Sequence, residues 1–172
     1  KRRPEIPPGE PSVDFKLGID LNPVDINDRD PALWLRALVW PEDRERLSKL
    51  DAAMEIASEH PPNLVAGDAL DLLPGVLDQS PPDSSLCVFH THTACQMTPD
   101  NREALVKILD EYGSDRDFYY LLVEWFGEYP AVELATYHSG EKGTELLACC
   151  DAHGRWIEWL GQNNPAYRCT SP

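Results

Sequence analysis

Basic residues are scarce in this chain: 15 lysines and arginines stand against 30 aspartates and glutamates, a formal net charge of −15 over 172 residues. A field of that sign repels phosphate backbones, and the only local basic cluster is Lys1–Arg3, so nucleic acid is not an expected partner. Long apolar runs are lacking too. No window reaches the roughly 20 residues that a membrane-spanning helix needs, and no apolar signal region follows the basic start. A soluble, cytoplasmic protein with no membrane partner is the expectation. The ten glycines are dispersed, with no Gly-x-Gly, and the Walker, Gly-x-Ser-x-Gly and Cys-x-x-Cys patterns are absent. Their absence lowers the prior for phosphate-loop, serine-hydrolase and thioredoxin-type chemistry. Five cysteines, an odd number without paired spacing, fit buried reduced thiols better than a disulfide framework.

What the chain does contain is enough apolar residue, 42%, for one globular domain with a real core. Its organising stretch is Val65-Ala-Gly67-Asp68-Ala69-Leu-Asp71, an apolar run that closes on a turn and an acid and opens into a helix-like segment. Similar grammar recurs upstream, where Phe15–Asp20 closes on an acid, and downstream, where Leu86–Phe89 closes on His90-Thr91-His92.

In chain order, Lys1–Ser12 carries four prolines and reads as an extended arm, with residues 13–172 forming the domain. A strand is expected over Val13–Leu21 and a short helix over Pro31–Val39. A longer helix, Glu42–Glu59, has the apolar stripe Leu47, Leu50, Met54, Ala57. A strand over Asn63–Ala66 then leads to a helix, Ala69–Gln79, broken or kinked near Pro74-Gly75. Ser85–Phe89 is a third strand. A helix opened by Thr98-Pro99 follows, its inner stripe Ala104, Leu105, Ile108, Leu109 and Tyr112, and then an apolar strand, Phe118–Trp125. Val132–His138 and Glu145–Cys150 read as a hairpin and Arg155–Leu160 as a last strand. Strand–helix units followed by an antiparallel end imply a three-layer α/β fold, a mixed sheet with mostly parallel strands.

The chemistry-bearing residues gather at strand ends. His90 and His92, two apart on a strand, point to one face, and with Glu124 at the end of the next strand they would suit zinc or ferrous iron. The plainer alternative makes one a core histidine and the other a loop partner. Cys95 beside His92 is a candidate nucleophile without an evident oxyanion hole. Trp125 and Phe126 are a candidate aromatic wall. His138 and His153, beside glycine turns, read as surface residues.

The runs Gly18-Ile-Asp20-Leu-Asn22-Pro23-Val-Asp25, Trp34-Leu-Arg-Ala-Leu-Val-Trp40-Pro41, Gly67-Asp68 and Val88-Phe89-His90 resemble an uncharacterised bacterial family, domain of unknown function 2332, from about Val13 to Leu160. That family is in turn similar to class I methyltransferases of Rossmann-like fold. The resemblance implies S-adenosylmethionine as cofactor, with Asp20 and Asn22 on the ribose side and Asp68 and Ala69 beside the adenine. It implies His90 and Glu124 on the substrate side. Asp20 and Asp68 are equally read as caps of the turns and helices after them. Two departures stand out. The glycine turn and first strand of such a fold are not in this sequence, so the resemblance implies a fragment with an open sheet edge, prone to homo-oligomerisation or awaiting an N-terminal segment. The family's strand usually continues His-Ser where this chain has His90-Thr91-His92, so nothing carries over to His92. Three functions follow from these features: methyl transfer to a small-molecule or protein substrate, a degenerate domain acting as a non-catalytic binding or regulatory module, and a metal-dependent hydrolase using His90 and His92.

Overall fold

A computed structural model describes residues 6–125 and 129–160, and Lys1–Arg3 and Phe126 lie outside them. The described residues hold four α-helices and two β-sheets, a mixed α/β structure. None of the helices is long and apolar enough to cross a membrane. The chain divides into two compact units, Phe15–Val76 and the described parts of Lys1–Asp14 with Leu77–Pro172.

In the Phe15–Val76 unit, strand β1 (Gly18–Asp20) pairs in parallel with β2 (Leu64–Ala66). The expected strand Val13–Leu21 is thus cut to three residues, because Val13 and Leu21 are exposed and give their period-two pattern nothing to bury against. Helix α1 (Arg29–Ala37) starts at Asp28, whose carboxylate accepts from the Asp30 amide at 3.2 Å, and α2 (Arg44–Glu59) starts at Asp43, which accepts from Arg46 at 3.0 Å. The four stripe residues of α2 are its only half-buried positions, as their spacing implied. Helix α3 (Ala69–Leu77) runs through Pro74 without a break. The proline forfeits one backbone hydrogen bond, but a nine-residue helix that buries Leu73 and Leu77 tolerates it.

The other unit is built on a five-stranded sheet in sequence order: β3 (Cys87–Thr91), β4 (Phe118–Trp125), β5 (Pro130–His138), β6 (Glu141–Cys150) and β7 (Ile157–Trp159). Only β3 and β4 are parallel, and the other three pairings are antiparallel. The expected mostly parallel sheet is therefore corrected. A parallel pair needs a long crossover, which α4 (Pro99–Asp115) supplies between β3 and β4, whereas every later connection is short. The β5–β6 hairpin turns on two residues, Ser139 (φ 54) and Gly140 (φ 78), both left-handed, so β6 starts earlier than its apolar residues announce.

Helix α4 packs on one sheet face through Leu105, Leu109 and Gly113, spaced four apart. A side chain on Gly113 would come within 2.1 Å of the Tyr137 ring, and Tyr137 in turn stacks on the fully buried Phe118 at 4.4 Å. A second core joins Ala131, Cys149 and Leu160 with Tyr129, Leu146 and Trp156. Cys87, Cys95 and Cys150 are free thiols, but Cys149 is disulfide-bonded, which corrects the expectation of reduced cysteines at that position. Disulfide pairing depends on the spatial approach of chain-distant residues, which sequence spacing does not reveal.

Candidate functional site

The sequence-predicted residues fall into two groups, one in each unit. In the first, register pairs Asp20 with Ala66, so the carboxyl ends of β1 and β2 are level, and the Gly67 amide closes the pair on the Asp20 carbonyl at 2.9 Å. Asp20 Oδ1 accepts from the Asn22 amide at 2.8 Å, and Asp68 Oδ1 accepts from the Leu70 amide at 2.9 Å. Both acids therefore fold the turn that follows them, as the capping alternative held. Asp20, Asn22 and Asp68 are exposed, and Ala69 is the first residue of α3. A carboxylate has about four lone-pair sites, so one bond apiece leaves each acid able to accept more.

The second group lies where β3 and β4 end. His90 is in register with Leu122, and Glu124, two residues on, shares its face. His90 Nε2 meets the Tyr120 hydroxyl at 2.7 Å. Its Nδ1 comes within 3.2 Å of Glu124 Oε1, although not in line for a hydrogen bond. Burial pulls the His90 pKa down, against the raising pull of Glu124, so the imidazole is neutral near pH 7. Burial also pushes the Tyr120 phenol well above its ordinary value. With the carboxylate beside Nδ1, the favoured tautomer carries its proton there and accepts the Tyr120 O–H at Nε2.

Beyond Thr91 the chain reverses. His92 keeps the ladder through its amide, 2.9 Å from the Val123 carbonyl, but its φ of 52° is left-handed, uncommon for a residue with a side chain. The reversal feeds a single 3-10 turn, Ala94–Gln96, whose Ala94 and Cys95 amides donate to Glu124 at 2.8 and 3.3 Å. Gln96 Nε2 and Cys95 Sγ both donate to the His92 carbonyl, at 2.7 and 3.3 Å. The outcome differs from the simple strand expectation. Among the described residues, the donors that converge within 4.8 Å of one another belong to His92, Cys95 and Glu124, and His90 is not of that set. The Nδ1 atoms of both histidines are buried without a hydrogen-bond partner among the described residues.

Desolvation and the Glu124 carboxylate hold the Cys95 thiol above its ordinary pKa, which disfavours the thiolate that a Cys–His nucleophile requires. Trp125 is half exposed, its ring centroid 6.2 Å from that of His92. Tyr120 went unread in the sequence, though its place four residues before Glu124, on the same face of β4, was the signal. His138 is exposed and bonded to Asp117, as befits a surface residue, and His153 is likewise exposed, its amide donating to Asp151.

The fold is thus mixed α/β with polar groups collected at the carboxyl ends of its two parallel strand pairs. The chain belongs to the DUF2332 family of uncharacterised proteins conserved in bacteria, whose model matches residues 1–159. No curated protein and no solved structure matches it.

Proposed function

We propose that the Phe15–Val76 unit binds the nucleoside part of S-adenosylmethionine and that the protein serves methyl transfer, in the manner of a Rossmann-like methyltransferase. One observation carries this: Asp20 and Asp68 stand at the level carboxyl ends of adjacent parallel strands, where α/β folds of this kind receive nucleosides. In this reading Asp20, with Asn22 beside it, accepts from ribose hydroxyls, and Asp68 with the Ala69 amide meets an adenine edge. Each acid keeps acceptor capacity beyond the turn bond it makes. The cofactor supplies an activated methyl group whose transfer needs chiefly proximity and orientation, so conspicuous acid–base residues are not required. In the other unit, His90 and Glu124 suit holding a ligand better than proton transfer: the imidazole is tied to Tyr120 and the carboxylate to two amides. That same engagement favours a second function, a non-catalytic binding or regulatory module.

Calorimetric titration of S-adenosylmethionine and S-adenosylhomocysteine separates the two. Methyl transfer requires binding that weakens by about 10- to 150-fold in Asp20→Ala, the equivalent of about 1.5–3 kcal/mol for hydrogen bonds to a charged group. Absence of binding to either compound ends the cofactor assignment and leaves the non-catalytic module.

A further inference from the structure

We propose that His92, Cys95 and Glu124 form a site for one zinc-class divalent cation. Their candidate ligand atoms all lie within 4.8 Å of one another. Tetrahedral bonds of about 2.0–2.3 Å to zinc would set such atoms about 3.4–3.6 Å apart, so side-chain adjustments of about an ångström complete the site.

Three features of the apo geometry call for a cation. His92 Nδ1 is buried with no hydrogen-bond partner among the described residues, a cost that coordination through that nitrogen would remove. Glu124 is a buried carboxylate, 8% exposed, with His90 Nδ1 3.2 Å from its Oε1. Its hydrogen bonds come from two neutral backbone amides, and among the described residues no lysine or arginine pairs with it, so a divalent ion would supply the missing charge. The donors are also held before any ion arrives. The left-handed backbone of His92 turns the chain back, and the Cys95 amide bond to Glu124 ties the thiol-bearing residue to the carboxylate. His90 and the Ala94 amide then serve as the outer contacts that orient a ligating carboxylate.

One thiol, one imidazole and one carboxylate favour zinc or cobalt over magnesium or calcium, which prefer all-oxygen sites. Binding replaces the Cys95 S–H with a sulfur–metal bond and releases that proton to solvent, breaking the present contact from Sγ to the His92 carbonyl. Cys95 is exposed, so the ion has an entry path. Three protein donors leave a fourth position open, as in reactive rather than closed structural zinc centres. The site uses none of Asp20, Asn22, Asp68 and Ala69, so it stands without the cofactor proposal, although Glu124 and its neighbour His90 recur in both readings.

Cobalt(II) titration of the protein provides the test. The expected result is one ion per chain, a sulfur-to-cobalt charge-transfer band, visible bands of a four-coordinate ion, and their loss on adding zinc. Cys95→Ser, at an exposed position that leaves folding intact by circular dichroism, should abolish the charge-transfer band. His92→Asn, which tolerates a left-handed backbone, should weaken binding by about 100-fold or more, since losing even an outer contact costs about 10- to 100-fold. Cys87→Ser and His153→Asn should change neither. No cobalt binding, a charge-transfer band that survives in Cys95→Ser, or equal affinity in the wild type and His92→Asn would each overturn the site.

Discussion

Arg116, at the end of α4, shows how much a single side chain organises the approach to β3. Its guanidinium donates to five neutral oxygens: the Ser80 carbonyl and hydroxyl, the Tyr112 hydroxyl, and the carbonyls of Pro81 and Ser84. These acceptors fix the loop that delivers the chain into the strand bearing His90. The planar fork of arginine serves several carbonyls at once, which an ammonium does not, so Arg116→Lys is not conservative. Hydrogen bonds to a charged donor contribute about 1.5–3 kcal/mol. Arg116→Lys should lose a comparable amount in urea unfolding, with an unchanged slope, and an unchanged midpoint would disprove the anchoring role. Nothing in the sequence announced this residue, because three of its five acceptors are backbone carbonyls more than 30 positions away. The proximity of His90 and Glu124 was legible, since the alternation of two strands in register brings them together. The set of His92, Cys95 and Glu124 was not, because a left-handed residue at a strand end breaks the period-two rule from which facing is inferred.

Elements were legible where local chemistry decides them. Thr98 caps α4, as its Thr-Pro opening implied, and the apolar stripes of α2 and α4 turned inward. Sheet partners were less so, because three-residue strands carry almost no pattern and pairing depends on residues far along the chain. One consequence of the pairing is a polar clamp between elements: Asp110 on α4 accepts from Tyr137 on β5 at 2.6 Å and from Lys142 on β6 at 2.8 Å. Burial works to raise the Asp110 pKa, but the bonds from Lys142 and Tyr137 outweigh it and hold the carboxyl below its usual range. For Lys142, burial works downward and the Asp110 bond prevails, raising its pKa. A depressed acid stabilises the fold above its unfolded pKa of about 3.9 and loses that as pH falls through the lower folded value. A raised lysine stabilises below about 10.4 and loses it as pH rises through the higher folded value. The clamp is therefore fully effective from about pH 5 to 9. With side chains 36% and 48% exposed, solvent limits the ion pair to about 0.2–1 kcal/mol. Asp110→Asn should lower Tm by about 1–4 °C at pH 7, and the gap should narrow steadily in melts below about pH 3.5. A gap independent of pH would assign the effect to packing instead.

At the scale of the whole molecule, charge outweighs any single contact. The ion pairs of known exposure, among them Arg36–Asp51, Lys49–Glu45 and Lys107–Glu111, are mostly solvent-exposed and individually weak. Against them stands a net charge of −15, whose self-repulsion acts over the full chain. Salt screens both terms, but it screens the long-range repulsion of unpaired acids more completely than contacts shorter than 4 Å. The Debye length falls from about 30 Å at 0.01 M to about 8 Å at 0.15 M, roughly from beyond the size of a unit to well within it. Stability should therefore rise with ionic strength. Sodium chloride is the appropriate salt, because sulfate would add a separate gain by exclusion from apolar surface. At pH 7 the transition should move up by about 2–4 °C between 0.01 and 0.15 M, the shift expected for about 1 kcal/mol in a chain of this length. A transition that falls over that interval would mean that the paired charges, rather than the fifteen-charge excess, govern the electrostatics of the fold.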